Sequence, residues 1–257
     1  MKRSVGFILA ACFWLAASAG FATAPPYAGT KLFEDTFDGA SGSPPNAAYW
    51  TSDNGGALDG SGNYVKTDAV GAWLPVLVGK AEVVPGAGAH DIQVEFRLNK
   101  TAGGHFYVGL YPSAGAANTL ARCYFVENTY GRINVDTDLI GTGAVPGAPA
   151  DDYSGIPTSA SYSNWIPDTN VGLIMILKTT GVMEYWYDNG AGGGYTQLTI
   201  TGGTQSVKDI LNSWKIGTPP SYHIKVTPYG VKATDTFKVD RITVTQVGQA
   251  PGRKPKE

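Results

Sequence analysis

Several segments of this chain alternate apolar and polar residues, and the polar positions carry groups able to do chemistry. From Asp91 to Leu98, Ile92, Val94, Phe96 and Leu98 share one parity, and Gln93, Glu95 and Arg97 share the other. From His105 to Tyr111, the off-core parity holds His105, Tyr107 and Tyr111; it also holds Arg122, Tyr124, Glu184 and Trp186 on later segments. Aromatic faces stack on the C–H-rich faces of pyranose rings, and planar Arg, Gln and Glu groups bond hydroxyls. These ten residues are therefore expected to form an aromatic and polar ligand-binding face suited to a glycan. Read singly, the same residues are ordinary strand-surface residues.

Other chemistries lack their residues. No Gly-x-Ser-x-Gly is present, so no nucleophile elbow is predicted. His90, His105 and His223 do not fall at zinc-ligand spacing. Gly190–Gly194 reads as a hairpin tip, since neither Lys-Ser/Thr nor a helix follows it. No catalytic residues are assigned.

The elements that must position these side chains are strands, because period-two alternation marks a half-buried strand. It predicts strands at 91–98, 105–111, 121–128, 132–136, 171–179, 182–188, 196–200, 222–228 and 236–246. One short helix is predicted near Ser206–Asp209, with Val207, Ile210, Leu211 and Trp214 on one face. Residues 140–170 are rich in Gly, Pro, Ser and Ala without periodicity, and read as a long loop. Residues 248–257 read as a disordered basic tail. The fold class is therefore an all-β, two-sheet antiparallel sandwich spanning 30–247.

Composition agrees. Charged residues are 16% of the chain, with 34 Gly and 14 Tyr among 257 residues, which suits short strands and tight turns. Residues 1–24 have the form of a signal peptide: Lys2 and Arg3, an apolar run from Val5 to Ala17, then small residues. Cleavage is expected after Ala19, with Ala24 the alternative followed unfavourably by Pro25. Leu9–Cys12 also fits a lipoprotein signal, but Cys12 lies early and Phe13–Leu15 stay apolar, so no stable membrane anchor is expected. The expected location is secreted or periplasmic. One cysteine, Cys123, would remain, which excludes an intramolecular disulfide. Losing the two basic residues of the leader takes the formal charge from −2 to −4, with no footprint for nucleic acid.

Two segments carry a family resemblance. Leu32–Gly39 (Leu-Phe-Glu-Asp-Thr-Phe-Asp-Gly), followed by Tyr49-Trp50, resembles the opening of concanavalin A-like lectin/glucanase domains, a jelly-roll superfamily. Phe237–Val244 is similar to their last strand. The resemblance implies the jelly-roll fold and a sugar-facing cleft. It does not extend to the Glu-x-Asp-x-x-Glu of the laminarinase and lichenase glucanases, which places the two carboxylates of a retaining mechanism. The resemblance also implies a structural Ca²⁺, with Asp240 matching the last-strand aspartate and Asp35 or Asp38 assisting. Parity slips between Val239 and Ile242, so a bulge at Asp240 is predicted. The leading expectation is a non-catalytic, lectin-like glycan-binding domain. The alternatives are a polysaccharide-active hydrolase or lyase with an unfamiliar site, and a structural envelope or matrix protein. The half-present Glu95-Phe96-Arg97 and the His105–Tyr111 strand resemble alginate-lyase-like jelly rolls and keep the lyase alternative open.

Overall fold

The computed structural model describes residues 25–51, 55–67, 76–83, 90–100, 105–111, 122–127, 133–138, 169–198, 222–229 and 236–247. The leader, the helix expected at 206–214, nearly all of the loop at 140–170 and the basic tail lie outside the described residues. Those described form strands and turns only: β1 (Gly29–Asp35), β2 (Trp50–Thr51), β3 (Ala57–Leu58), β4 (Tyr64–Thr67), β5 (Leu77–Val83), β6 (Asp91–Lys100) and β7 (His105–Tyr111). They continue with β8 (Arg122–Glu127), β9 (Ile133–Asp138), β10 (Val171–Leu177), β11 (Met183–Asp188), β12 (Thr196–Leu198), β13 (Tyr222–Tyr229) and β14 (Thr236–Val247).

The strands make two antiparallel sheets. The eight-stranded sheet runs β12-β11-β10-β6-β14-β4-β3, and β1 also pairs with β14. The six-stranded sheet runs β2-β5-β13-β7-β8-β9. Their inner faces enclose one core, built from Val94, Phe96 and Leu98 on β6 against Val108 on β7 and Val226 on β13, with Leu173 beside them on β10. Burying each such side chain stabilises by about 1.5–3 kcal/mol. β10 is buried along its whole length, because Ile174 and Ile176 on its outer side are covered as well.

The motif at the N-terminal end is a structural clasp. The Asp35 carboxylate accepts the Phe37 N–H at 2.8 Å through Oδ1 and the Trp50 indole N–H at 2.6 Å through Oδ2. Phe37 thereby takes a left-handed φ of 52°, which costs a non-glycine residue energy and needs support from its surroundings. That support is packing: its buried ring lies 5.8 Å from Trp50 and 6.1 Å from Tyr64 between centroids.

Three strands carry irregularities that matter below. Register shifts at Leu32 in β1, across Gly79–Ala81 in β5 opposite Ile224, and at Asp240 in β14. The last is the bulge that the parity slip predicts.

Candidate functional site

The ten expected ligand-binding residues do not share a face. β6 and β11 belong to the eight-stranded sheet, so Gln93, Glu95, Arg97, Glu184 and Trp186 lie on its outer side. β7 and β8 belong to the other sheet, so His105, Tyr107, Tyr111, Arg122 and Tyr124 occupy off-core positions there. Alternation tells which residues of one strand go together; long-range pairing decides which strands do.

On the eight-stranded sheet the expected exposure is also corrected. Gln93, Glu95 and Arg97 are only 1%, 4% and 5% exposed. Arg97 Nε donates to Glu95 Oε1 at 2.8 Å, and its Nη1 lies 3.5 Å from Asp188 Oδ2. The Tyr195 hydroxyl donates to the same Glu95 oxygen at 2.6 Å, and its ring centroid is 5.1 Å from the guanidinium carbon. Gly172 stands in register between Arg97 and Asp188. A Cβ there would come within 2.3 Å of the Tyr195 hydroxyl, so this glycine makes room for the ring. Burial works against the Arg97 charge, but Tyr195, Glu95 and Asp188 together raise its pKa above the ordinary value. Burial, and then Glu95, push the Tyr195 phenol up, so it stays a neutral donor. The Arg241 guanidinium reaches the same carboxylate at 3.8 Å.

The neighbouring pair is likewise engaged. Glu184 is ion-paired with Lys178, accepts the Tyr27 hydroxyl at 3.1 Å and takes the Trp186 indole N–H at 3.4 Å. Tyr27 meets Trp186 edge-on, 6.3 Å between centroids. The bond to Glu184 holds the Lys178 pKa above its ordinary value. Sequence reasoning misses Tyr195, Asp188 and Tyr27. The signal available was a Tyr directly after the glycines of a hairpin tip, well placed to fold back over the strand.

The residues expected to bind a metal have different surroundings. Asp35 pairs in register with core-facing Ile242 and binds buried Trp50 on the inner side. Asp240 instead feels the charges of Arg241, Arg97 and Glu95 on the outer side, and burial raises its pKa. Asp38 is exposed and accepts the Thr36 hydroxyl at 2.6 Å. Among the described residues no three or more His, Cys, Asp or Glu side chains group as metal ligands.

The outer side of the six-stranded sheet gathers the rest. Tyr111 pairs with His223 and Tyr107 with Thr227, while Gly109 stands between Lys225 and Tyr124. Tyr124 pairs onward with Asp136, and Arg122 with Asp138. These positions all oppose core-facing Val108, Leu110, Ile224 and Val226. Lys225 and Thr227 are buried on this side. His223 Nδ1 lies 2.9 Å from the Gly79 carbonyl oxygen, which can only accept, so Nδ1 carries the proton. His223, Lys225, Thr227, Asp136 and Asp138 were not singled out from sequence as site residues, although their parity alone marks them as off-core.

No family model and no curated protein sequence matches the chain. Solved structures do match in fold. One, connected with endo-acting O-glycanases of human gut bacteria that initiate mucin breakdown, has a TM-score of 0.55 at 14% identity, covering 85% of this chain and all of that one. An immunostimulatory antigen and pseudo β-1,3-glucanase of Mycobacterium tuberculosis gives 0.52 at 13% identity, covering 86% of this chain and 100% of that one. A winged bean acidic lectin, solved with methyl-α-D-galactose, gives 0.50 at 10% identity, covering 85% and 98%. The chain therefore has the concanavalin A-like jelly-roll fold.

Proposed function

We propose that this domain is an exported glycan-binding module whose site is the outer side of the six-stranded sheet. The observation that carries the reading is the register across β13, β7, β8 and β9. It brings Tyr107, Tyr111, Tyr124 and Arg122 together with His223. Aromatic rings supply stacking surface, and cationic and amide groups supply hydroxyl or carboxylate recognition. The likeness of fold to a lectin and to glycan-active enzymes supports the reading, since such proteins use this architecture towards sugars. The closed network on the other sheet removes Glu95, Arg97, Glu184 and Trp186 from the proposed site.

A second reading, hydrolysis, draws on Asp136 and Asp138. They occupy alternate positions of β9, on the same side as Tyr124 and Arg122. A glycan array on the purified mature domain tests both readings. Binding that Tyr124→Ala weakens, with no product released from the bound glycan, supports a binding module. Product release abolished by Asp136→Asn or Asp138→Asn supports the enzyme. Absence of binding to any glycan would overturn both.

A further inference from the structure

A separate cavity of about 240 Å³ lies between the two sheets at the edge formed by β1 and β2. Its aromatic wall is Phe33, Tyr49 and Trp50, in edge-on contact at 5.2 Å and 5.9 Å between centroids. The opposite walls are aliphatic: Val83, Ile92, Ile224 and Val244. The cavity exceeds the roughly 150 Å³ at which engineered apolar holes take up benzene.

Two features of the backbone hold it open. β1 is bulged at Leu32 and β5 is bulged across Gly79–Ala81, and all three of these residues line the cavity. Bulges bend a strand and re-aim its side chains, and here one on each sheet faces the same space. Gly79 is not demanded by its surroundings. A Cβ there would meet Ile224 no closer than 3.4 Å, at ordinary contact distance, and its φ is not left-handed. The small residue leaves volume that a larger one could fill.

Three polar groups bordering the cavity are already bonded. The Trp50 indole donates to Asp35, the Tyr49 carbonyl accepts the Lys80 N–H at 2.8 Å, and the Gly79 carbonyl accepts from His223. An occupant would gain no hydrogen bond from these three, and the remaining wall is largely apolar side chain. At the mouth, Leu32 and Tyr49 stand 55% and 41% exposed. We infer that this cavity binds the hydrocarbon tail of an amphiphile, inserted between the sheets with its polar end left at the Leu32–Tyr49 rim. The cavity shares no lining residue with the glycan face and meets it at the His223–Gly79 hydrogen bond, so decanoate binding and glycan binding are read separately.

Sodium decanoate, kept below its micelle concentration, is the probe. Titration into the full mature domain should shift the methyl resonances of Val83, Ile92, Ile224 and Val244 saturably and raise the Tm. Ala81→Phe, at an exposed position of the rim, should weaken that binding at least tenfold while leaving the fold intact by circular dichroism. Gly79→Val should do the same from inside, so the inference does not depend on one variant folding. No saturable shift, shifts spread over surface methyls, or undiminished binding by a folded filling variant would each overturn it.

Discussion

On the eight-stranded sheet, Glu95 accepts from Arg97 and Tyr195 and faces Arg241, while Arg97 also reaches Asp188. On the six-stranded sheet, register sets Tyr107, Tyr111, Arg122 and Tyr124 beside His223, Lys225 and Asp136. Both outer faces carry arginine, carboxylate and tyrosine, so residue type alone does not distinguish them. The difference is in the arrangement. On the first face, opposite charges meet within one strand at Glu95 and Arg97, and a hairpin brings Tyr195 over them. A buried charge that is paired and hydrogen-bonded is stable in place and poorly available to a ligand. The charges of the first face are therefore already engaged with one another, and the second face is the one to test for binding.

The comparison breaks if substitutions on the first face alter binding more than stability. The largest effect is expected for Arg97→Ala, which strands the buried Glu95 and Asp188 carboxylates. Removing one partner of a buried pair costs about 3–5 kcal/mol, to be read by chemical denaturation, with glycan affinity unchanged in the folded fraction. Tyr195→Phe should cost about 1.5–3 kcal/mol, the range for a hydrogen bond to a charged group. Gly172→Ala would displace the same hydroxyl, so the double variant should cost little more than the worse single one. On the second face, Tyr124→Ala should weaken glycan binding about two- to twelvefold by calorimetry, taking an aromatic contact as about 0.5–1.5 kcal/mol. A loss of stability as large as that of Arg97→Ala would make the two faces alike.

The smallest effect concerns Asp240. Its pKa is raised above the ordinary 3.8, chiefly by burial, so its contribution to stability is full below pH 3.8 and lost as pH rises through the folded value. Asp240→Asn should therefore raise the Tm slightly at neutral pH, with no gain in acid. A calcium ion on Asp240 would reverse the sign: the substitution would lower the Tm in millimolar calcium, and chelator would erase the difference.

The strands from β6 to β14 are legible in the sequence, most plainly where alternation is regular; Asp91–Leu98 never breaks parity, whereas β10 is apolar almost throughout and β14 slips at Asp240. β2 and β3, two residues each, are too short to show a period. β5 hides its period behind Gly79 and a bulge. Off-core parity correctly separates Glu95 and Arg97 from Phe96. It says nothing of what covers them, because the Tyr195 hydroxyl arrives from 100 residues away. The bulge at Asp240 is legible from a parity slip, whereas the hydrogen bond from Trp50 to Asp35 is not.

One feature of the fold bears on how the chain is made. β14 holds β6 along one edge and shares its other edge between β4 and β1. Until Thr236–Val247 has been synthesised, the larger sheet is three unconnected pieces: β12 to β10 with β6, the β3–β4 hairpin, and β1 alone. Such long-range pairing is slow to form, because loop closure precedes its reward. The larger sheet therefore cannot close before its last strand has been made. The same dependence carries a hazard. A chain cut short before Thr236 would leave the edges of β6, β4 and β1 unpaired, each a template for another copy.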